Sequence, residues 1–379
     1  MKDRLDKLCF VPPPVETPWT GPPEETTEHV IQRADGVSVE LERPLFWYDP
    51  PWERVRIDSA DMIAATVAQT GVAVSALRSD LSAPEGDPTL HSCEIQDDER
   101  NPFVPVSSDP LPRIVPYRPE RYGLCDRDFD GARIVDVRLM MNRNMSGRFA
   151  FSPQQIERWE ATPSSAPLAG GSWVPAATFP PDVDSIENLA YKFEQLRWLA
   201  PQAAIFVSIG PHRLVSELGA VLSCAPDGVI LRLDELNLIG IELANAVQGT
   251  RRWMNDQQAS HVPLWVVPGM VTPDDVVKLI ALGAAAVAVD CWCDEVIDLA
   301  VETQQASTST LGYSSLSPSR DNEVVEMIEY DLAANVERIS GLLHSIQYQP
   351  EGHQLASLSA DWSHALGIAP LTLPVSRDP

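Results

Sequence analysis

The sequence predicts an α/β fold, a (β/α)8 barrel of the TIM type, with a proline-rich N-terminal arm and a C-terminal helical segment. Three observations predict it. Short, β-branched apolar runs recur along the chain, capped amphipathic helices lie between several of them, and 379 residues suit a single barrel. A doubly wound parallel sheet is the competing architecture, because it uses the same strand–helix units.

Residues 1–45, which include "PPPVETPWTGPPEETTE", are rich in Pro, Glu and Thr. Such a segment buries little surface and is expected to run over the outside as an arm. The barrel is assigned to residues 46–346. Its strands are read at 71–77 ("GVAVSAL"), 133–140, 203–209, 228–234, 263–269 and 284–290, each apolar on both faces. That pattern suits parallel strands covered on both sides. Residues 81–132 are dense in Pro and Asp and read as an irregular insert with at most a short hairpin.

Two helix starts carry specific signals. "DSIENLAYKFEQLRWLA" offers Asp184 as N-cap with Glu187 three residues on, a capping-box spacing. "VTPDDVVKLIALG" offers Thr272 as cap, Pro273 at the first helical position and two acids in the first turn, and it ends at Gly283. Residues 302–322 read as loop. "NEVVEMIEYDLAANVERISGLLHSIQ" reads as a final helix on the barrel exterior, and 347–379 as a closing segment.

Charge narrows the partners. Lys and Arg number 28 against 54 acids, a formal charge of −26, so nucleic acid and anionic membrane surfaces would be repelled. The N-terminus has no apolar signal region and no run is of membrane length, so a cytoplasmic protein is expected. The six cysteines show no C-x2-C pair and read as ordinary thiols. Cys291 and Cys293 would face the same way on a strand. The seven histidines lack metal-ligand spacing, and no metal is expected.

Four stretches, in order, resemble one family. "GMVTPDDVVKLIALGAAAVAVD" is similar to the last barrel unit of the FMN-binding synthase domain of glutamate synthases, a unit with paired glycines, a helix and a strand ending in glycine. "FPPDVDSIENLAYKFEQLRWLAPQAAIFVSI", "IVDVRLMMNRNMSG" and "ANVERISGLLHSIQYQPEGHQLASLSADWSHALGIAPL" match further elements of that domain. The resemblance covers residues 55–375 with gaps. It implies a barrel that holds FMN and an iron–sulfur cluster and makes L-glutamate.

The positions that would do this work are altered. Of the two glycines that would present amides to the FMN phosphate, the first is Pro268, which has no N–H; the second is Gly269. The glycine ending the next strand matches Asp290 or its neighbour Cys291, and a carboxylate about 4 Å from a phosphate is repelled by about 4 kcal/mol per unit charge. The family's mid-barrel lysine falls at Ser208, another lysine falls at Arg138, and a glycine-rich loop becomes the bulky run around Asn142. The cluster-binding cysteines are replaced by "STSTLGYSSLSPSRDN".

The expectation is therefore a degenerate relative with no FMN and no iron–sulfur cluster, acting by binding a small ligand or a protein partner. A mouth site of His212, Asp234, Glu235 and Asp290 is the candidate, since barrel sites lie at the C-terminal ends of strands. Two alternatives stand beside it: an active FMN-dependent oxidoreductase of the glutamate-synthase type, and a cofactor-free enzyme using the mouth carboxylates.

Overall fold

The computed structural model describes residues 3–11, 29–33, 35–81, 111–118, 124, 126–139, 150–151, 173–175, 179–180, 182–236, 238–309, 324–346 and 354–371. Eight strands close into a parallel barrel. In chain order they are β1 (Leu45–Trp47), β2 (Ala73–Ser75), β3 (Arg113–Tyr117), β4 (Ala132–Arg138), β5 (Ala204–Ile209), β6 (Gly228–Arg232), β7 (Leu264–Val267) and β8 (Ala286–Ala288). Each pairs with the next, and β8 pairs back onto β1 through Val287 with Leu45 and Ala288 with Phe46. Closure settles the choice against a doubly wound sheet, which has two edges.

Six of the strands coincide with the apolar runs read from sequence, β4 starting one residue early at Ala132; β1 and β3 do not. β1 is three residues long, between Pro44 and the pair Pro50–Pro51. β3 carries Pro116 and lies within the stretch expected to be an irregular insert; it pairs with both β2 and β4 and corrects that reading. Proline removes a ladder hydrogen bond and lowers any strand score, yet one proline near a strand end is tolerated.

The longer helices are α1 (Ile57–Gln69), α2 (Leu189–Leu199), α3 (Pro211–Ser223), α4 (Gly240–Asp256), α5 (Pro273–Ala281), α6 (Asp290–Ser309) and α7 (Ala333–Ile346). Thr272 caps α5 as expected: its hydroxyl accepts from the Asp275 N–H, and the Asp275 carboxylate accepts from the Thr272 N–H. Asp184 does not cap α2. A 3-10 turn, Ile186–Asn188, precedes that helix with extended Ser185 at its cap position. Residues 302–309, expected as loop, continue α6, because Glu, Gln and Ala there favour helix. The final helix starts at 324, passes through a π-helical turn, Ile328–Leu332, and continues as α7, which packs on α5, where Arg338 pairs with Asp274 at 3.0 Å.

Alternation along the strands builds two cores. Outward residues such as Trp47, Val137, Val207 and Val266 meet the helices, while Phe46, Ile134, Phe206, Ile230 and Trp265 face one another inside. Gly228 is fixed by this packing: a Cβ there would lie 2.3 Å from the Phe206 ring. The described parts of 1–45 are packed, against the expectation of an outside arm. Leu5 and Leu8 are buried, and the strand Leu8–Phe10 pairs antiparallel with Leu355–Ser357. A hairpin of His29–Gln32 and Ser38–Leu41 adds Ile31, Val39 and Leu41 to the inner core, and Arg33 donates to the Pro201 carbonyl ahead of β5. The hairpin therefore plugs the base. Among the described residues no helix is long and apolar enough to cross a membrane.

Candidate functional site

The opposite end of the barrel is polar. Alternation that puts Ile134 inside also puts Asp136 and Arg138 inside, one and two steps nearer the C-terminal end of β4. Asp136 is fully buried and Arg138 nearly so. Arg138 donates through Nε to Asp136 Oδ2 (2.6 Å), through Nη1 to Asp49 Oδ1 (3.0 Å), and through Nη2 to the Tyr48 carbonyl (2.5 Å) and Ser75 Oγ (3.2 Å). Ser208 on β5 donates to Asp136 Oδ1 at 2.6 Å and accepts from the Tyr48 hydroxyl at 2.9 Å. Arg118 also pairs with Asp49, and Arg232 with Asp234 at 2.9 Å.

The Tyr48 ring stands at the centre of this network. Arg138 lies 3.9 Å from its centroid and Arg232 lies 5.0 Å from it, both in cation–π contact. Burial above all, with Asp136 adding, pushes the phenol pKa up. Burial opposes the Arg138 charge, but Tyr48, Asp136 and Asp49 more than offset it, and its pKa rises. Asp290 at the start of α6 accepts the Tyr48 N–H at 2.6 Å. Burial first, then the charges of Asp294, Asp234 and Asp49, hold its carboxyl well above the ordinary range. The mouth thus carries paired charges and one carboxyl that resists ionising.

The rim after β7 can be compared with the demands of a phosphate. FMN, the cofactor implied by the family resemblance, needs amide donors or cations there. Pro268 gives none, and its carbonyl, with those of Met270 and Leu238, points at the guanidinium of Arg4. Gly269 has a left-handed backbone (φ +79°), and a Cβ there would sit 3.4 Å from Asp234 Cα. The N-terminal turns of α5 and α6 already hold carboxylates, Asp275 and Asp290. Carbonyls and acids line this rim, and the guanidinium of Arg4 beside them is already held by three of those carbonyls. The residues present do not fit an FMN phosphate held in the family's manner.

Of the expected mouth residues, Asp234 and Asp290 come close enough for their charges to interact, and Gly269 lies against Asp234. Glu235 shares the short turn Asp234–Leu236, with its side chain outside the described residues, as is all of Asn142. His212 is exposed in the first turn of α3. Cys291 and Cys293 are on helix α6, not on a strand, so they do not face the same way. Cys293 is buried, and burial pushes the Cys291 thiol up to about 12. Such thiols stay protonated and make poor ligands or nucleophiles. Among the described residues no group of three or more His, Cys, Asp or Glu is arranged to hold a metal.

Sequence reasoning missed Tyr48, Asp49, Asp136, Arg118 and Arg232. A signal existed for two of these, Asp136 and Arg232: "IVDVR" and "LRLD" place charges two residues apart within apolar strands, hence on one face. Arg4 had no such signal.

No family model and no curated protein matches the sequence. Among solved structures, a doubly substituted flavocytochrome b2 with sulfite bound aligns over 99% of this chain and 80% of its own, at 12% identity and a TM-score of 0.51. A mandelate oxidase aligns over 89% of this chain and 84% of its own, at 15% identity and a TM-score of 0.46. At 12% identity the first likeness is one of fold, and the chain is a closed α/β barrel of the kind seen in flavocytochrome b2.

Proposed function

We propose that this chain is a flavin-enzyme-type barrel that has given up FMN and the iron–sulfur cluster, and that it works by binding a small ligand or a protein partner at its mouth. One observation carries the reading. The interior at the mouth is taken up by Tyr48 and the Arg138–Asp136–Asp49 network, while the neighbouring rim presents carbonyls to Arg4. A bound partner would meet the outer members of that network, Asp49, Arg232 and Asp234, which keep some exposure.

A second reading is an FMN-dependent oxidoreductase with a diverged site. The fold likeness to flavocytochrome b2 over nearly the whole chain favours it. In that reading Arg138 and Arg118 are the cations available to an anionic substrate. The absorption spectrum of the protein after gel filtration separates the two: a colourless protein supports the binding reading, and a flavin band that travels with the protein supports the enzyme.

A further inference from the structure

The turn Asp3–Leu5 sits in a socket made by α5 and the loops after β6 and β7. Two of its walls are charged and almost fully buried, Asp275 at 0% and Lys278 at 4% exposure. The Asp275 carboxylate accepts the main-chain N–H groups of Leu5 (2.9 Å) and Arg4 (3.2 Å) besides that of Thr272. Lys278 Nζ donates to Asp3 Oδ2 (2.7 Å) and to the Leu5 carbonyl (3.0 Å). Arg4 Nη1 reaches the Pro268 and Met270 carbonyls, both at 2.8 Å, and Nη2 reaches that of Leu238. Beyond the turn, Leu5 and Leu8 are buried and Leu8–Phe10 adds an antiparallel strand to Leu355–Ser357.

This is how a peptide is read: side-chain chemistry at one end, strand addition at the other. Simple apolar packing would need neither a buried ammonium nor a buried carboxylate, and burying them is costly without partners. Here both partners of Lys278, and two donors to Asp275, come from three consecutive residues of the chain end.

We propose that α5 and the β6 and β7 loops form a peptide-binding site, filled in cis by residues 3–10, that also takes the segment Asp-Arg-Leu-x-x-Leu from a second copy of this chain. Residues 11–28 join the segment to the hairpin, so cis and trans occupancy are set by effective concentration. The site is independent of whether the barrel seats FMN.

The test uses the full chain with a protease site introduced between residues 12 and 28, cut after folding, and a labelled peptide of residues 1–11. The labelled peptide is expected to exchange in saturably, and Asp3→Ala or Arg4→Ala peptides to bind about tenfold more weakly or worse. A Lys278→Asp chain should reject the parent peptide and accept an Asp3→Lys peptide. Equal binding by all these peptides, or none by a folded cut chain, overturns the proposal. Should cutting unfold the protein, hydrogen exchange on the uncut Lys278→Asp chain decides. Lost protection confined to residues 3–10 supports the site, and lost protection throughout β5–β7 overturns it.

Discussion

The two ends of the barrel interior fill the same space by different chemistry. At the base, Trp265 packs with Phe46 (4.6 Å between centroids) and Phe206 (4.8 Å), under a hairpin that adds Ile31, Val39 and Leu41. At the mouth, Tyr48, Asp136, Arg138 and Ser208 fill the interior with hydrogen-bonded charges. Buried ion pairs seldom stabilise more than apolar groups of the same volume. Stability alone therefore accounts for the base but not for three arginines gathered at one end, which is consistent with the binding role proposed for the mouth.

The largest effects should come from breaking either filling. Arg138→Met removes a guanidinium from both Asp136 and Asp49 and should cost about 3–5 kcal/mol in urea unfolding. Adding Asp136→Asn should return a good part of that loss; a double variant as unstable as the single one would show that pairing is not what Arg138 supplies. Phe206→Ala at the base should cost a similar amount, about 3–5 kcal/mol, with no polar substitution able to recover it.

The base also holds a pH-sensitive contact of the plug. Burial lowers the His29 pKa from 6.5 to about 4, and its ring lies 6.1 Å from that of Trp265. The folded state prefers the neutral imidazole, so stability is complete above the free value of 6.5 and falls as pH drops through about 4. The loss should approach roughly 3 kcal/mol. Denaturation midpoints across that range should lose this slope in His29→Gln.

Smaller effects sharpen the picture of the rim. Arg4→Ala removes a guanidinium from three carbonyls and should cost about 2 kcal/mol. Asp290→Asn should have the opposite sign. The raised carboxyl pKa means that its charged form is penalised, increasingly as pH rises above the ordinary carboxylate value. An amide keeps an acceptor for the Tyr48 N–H without that penalty, so the Tm should rise by a few degrees at neutral pH. The gain should vanish in acid.

How far this was legible in the sequence follows the same division. Strands such as "AAIFVSI" and "GVILRLD", and the Thr272 cap, declare themselves locally because their residues obey one periodicity and one capping rule. β1 and β3 were hidden by flanking or internal prolines, although neighbours on both sides hold them in the ring. Leu5, Leu8, Ile31 and Val39 were lost in the average of a proline-rich segment, since composition does not record where apolar side chains are spaced to pack. The mouth network joins residues from 48 to 232, and Arg4 meets carbonyls more than 230 positions away. Only closure of the barrel brings such groups together.

The central claim is that the rim after β7 meets a phosphate with the carbonyls of Pro268, Met270 and Leu238, which already hold Arg4, instead of free amide donors. Mass spectrometry of the native, folded protein tests it most directly. The mass should equal that of the polypeptide, and added FMN should leave it unchanged. A species heavier by one FMN per chain, lost when Arg138 is replaced, would contradict the account.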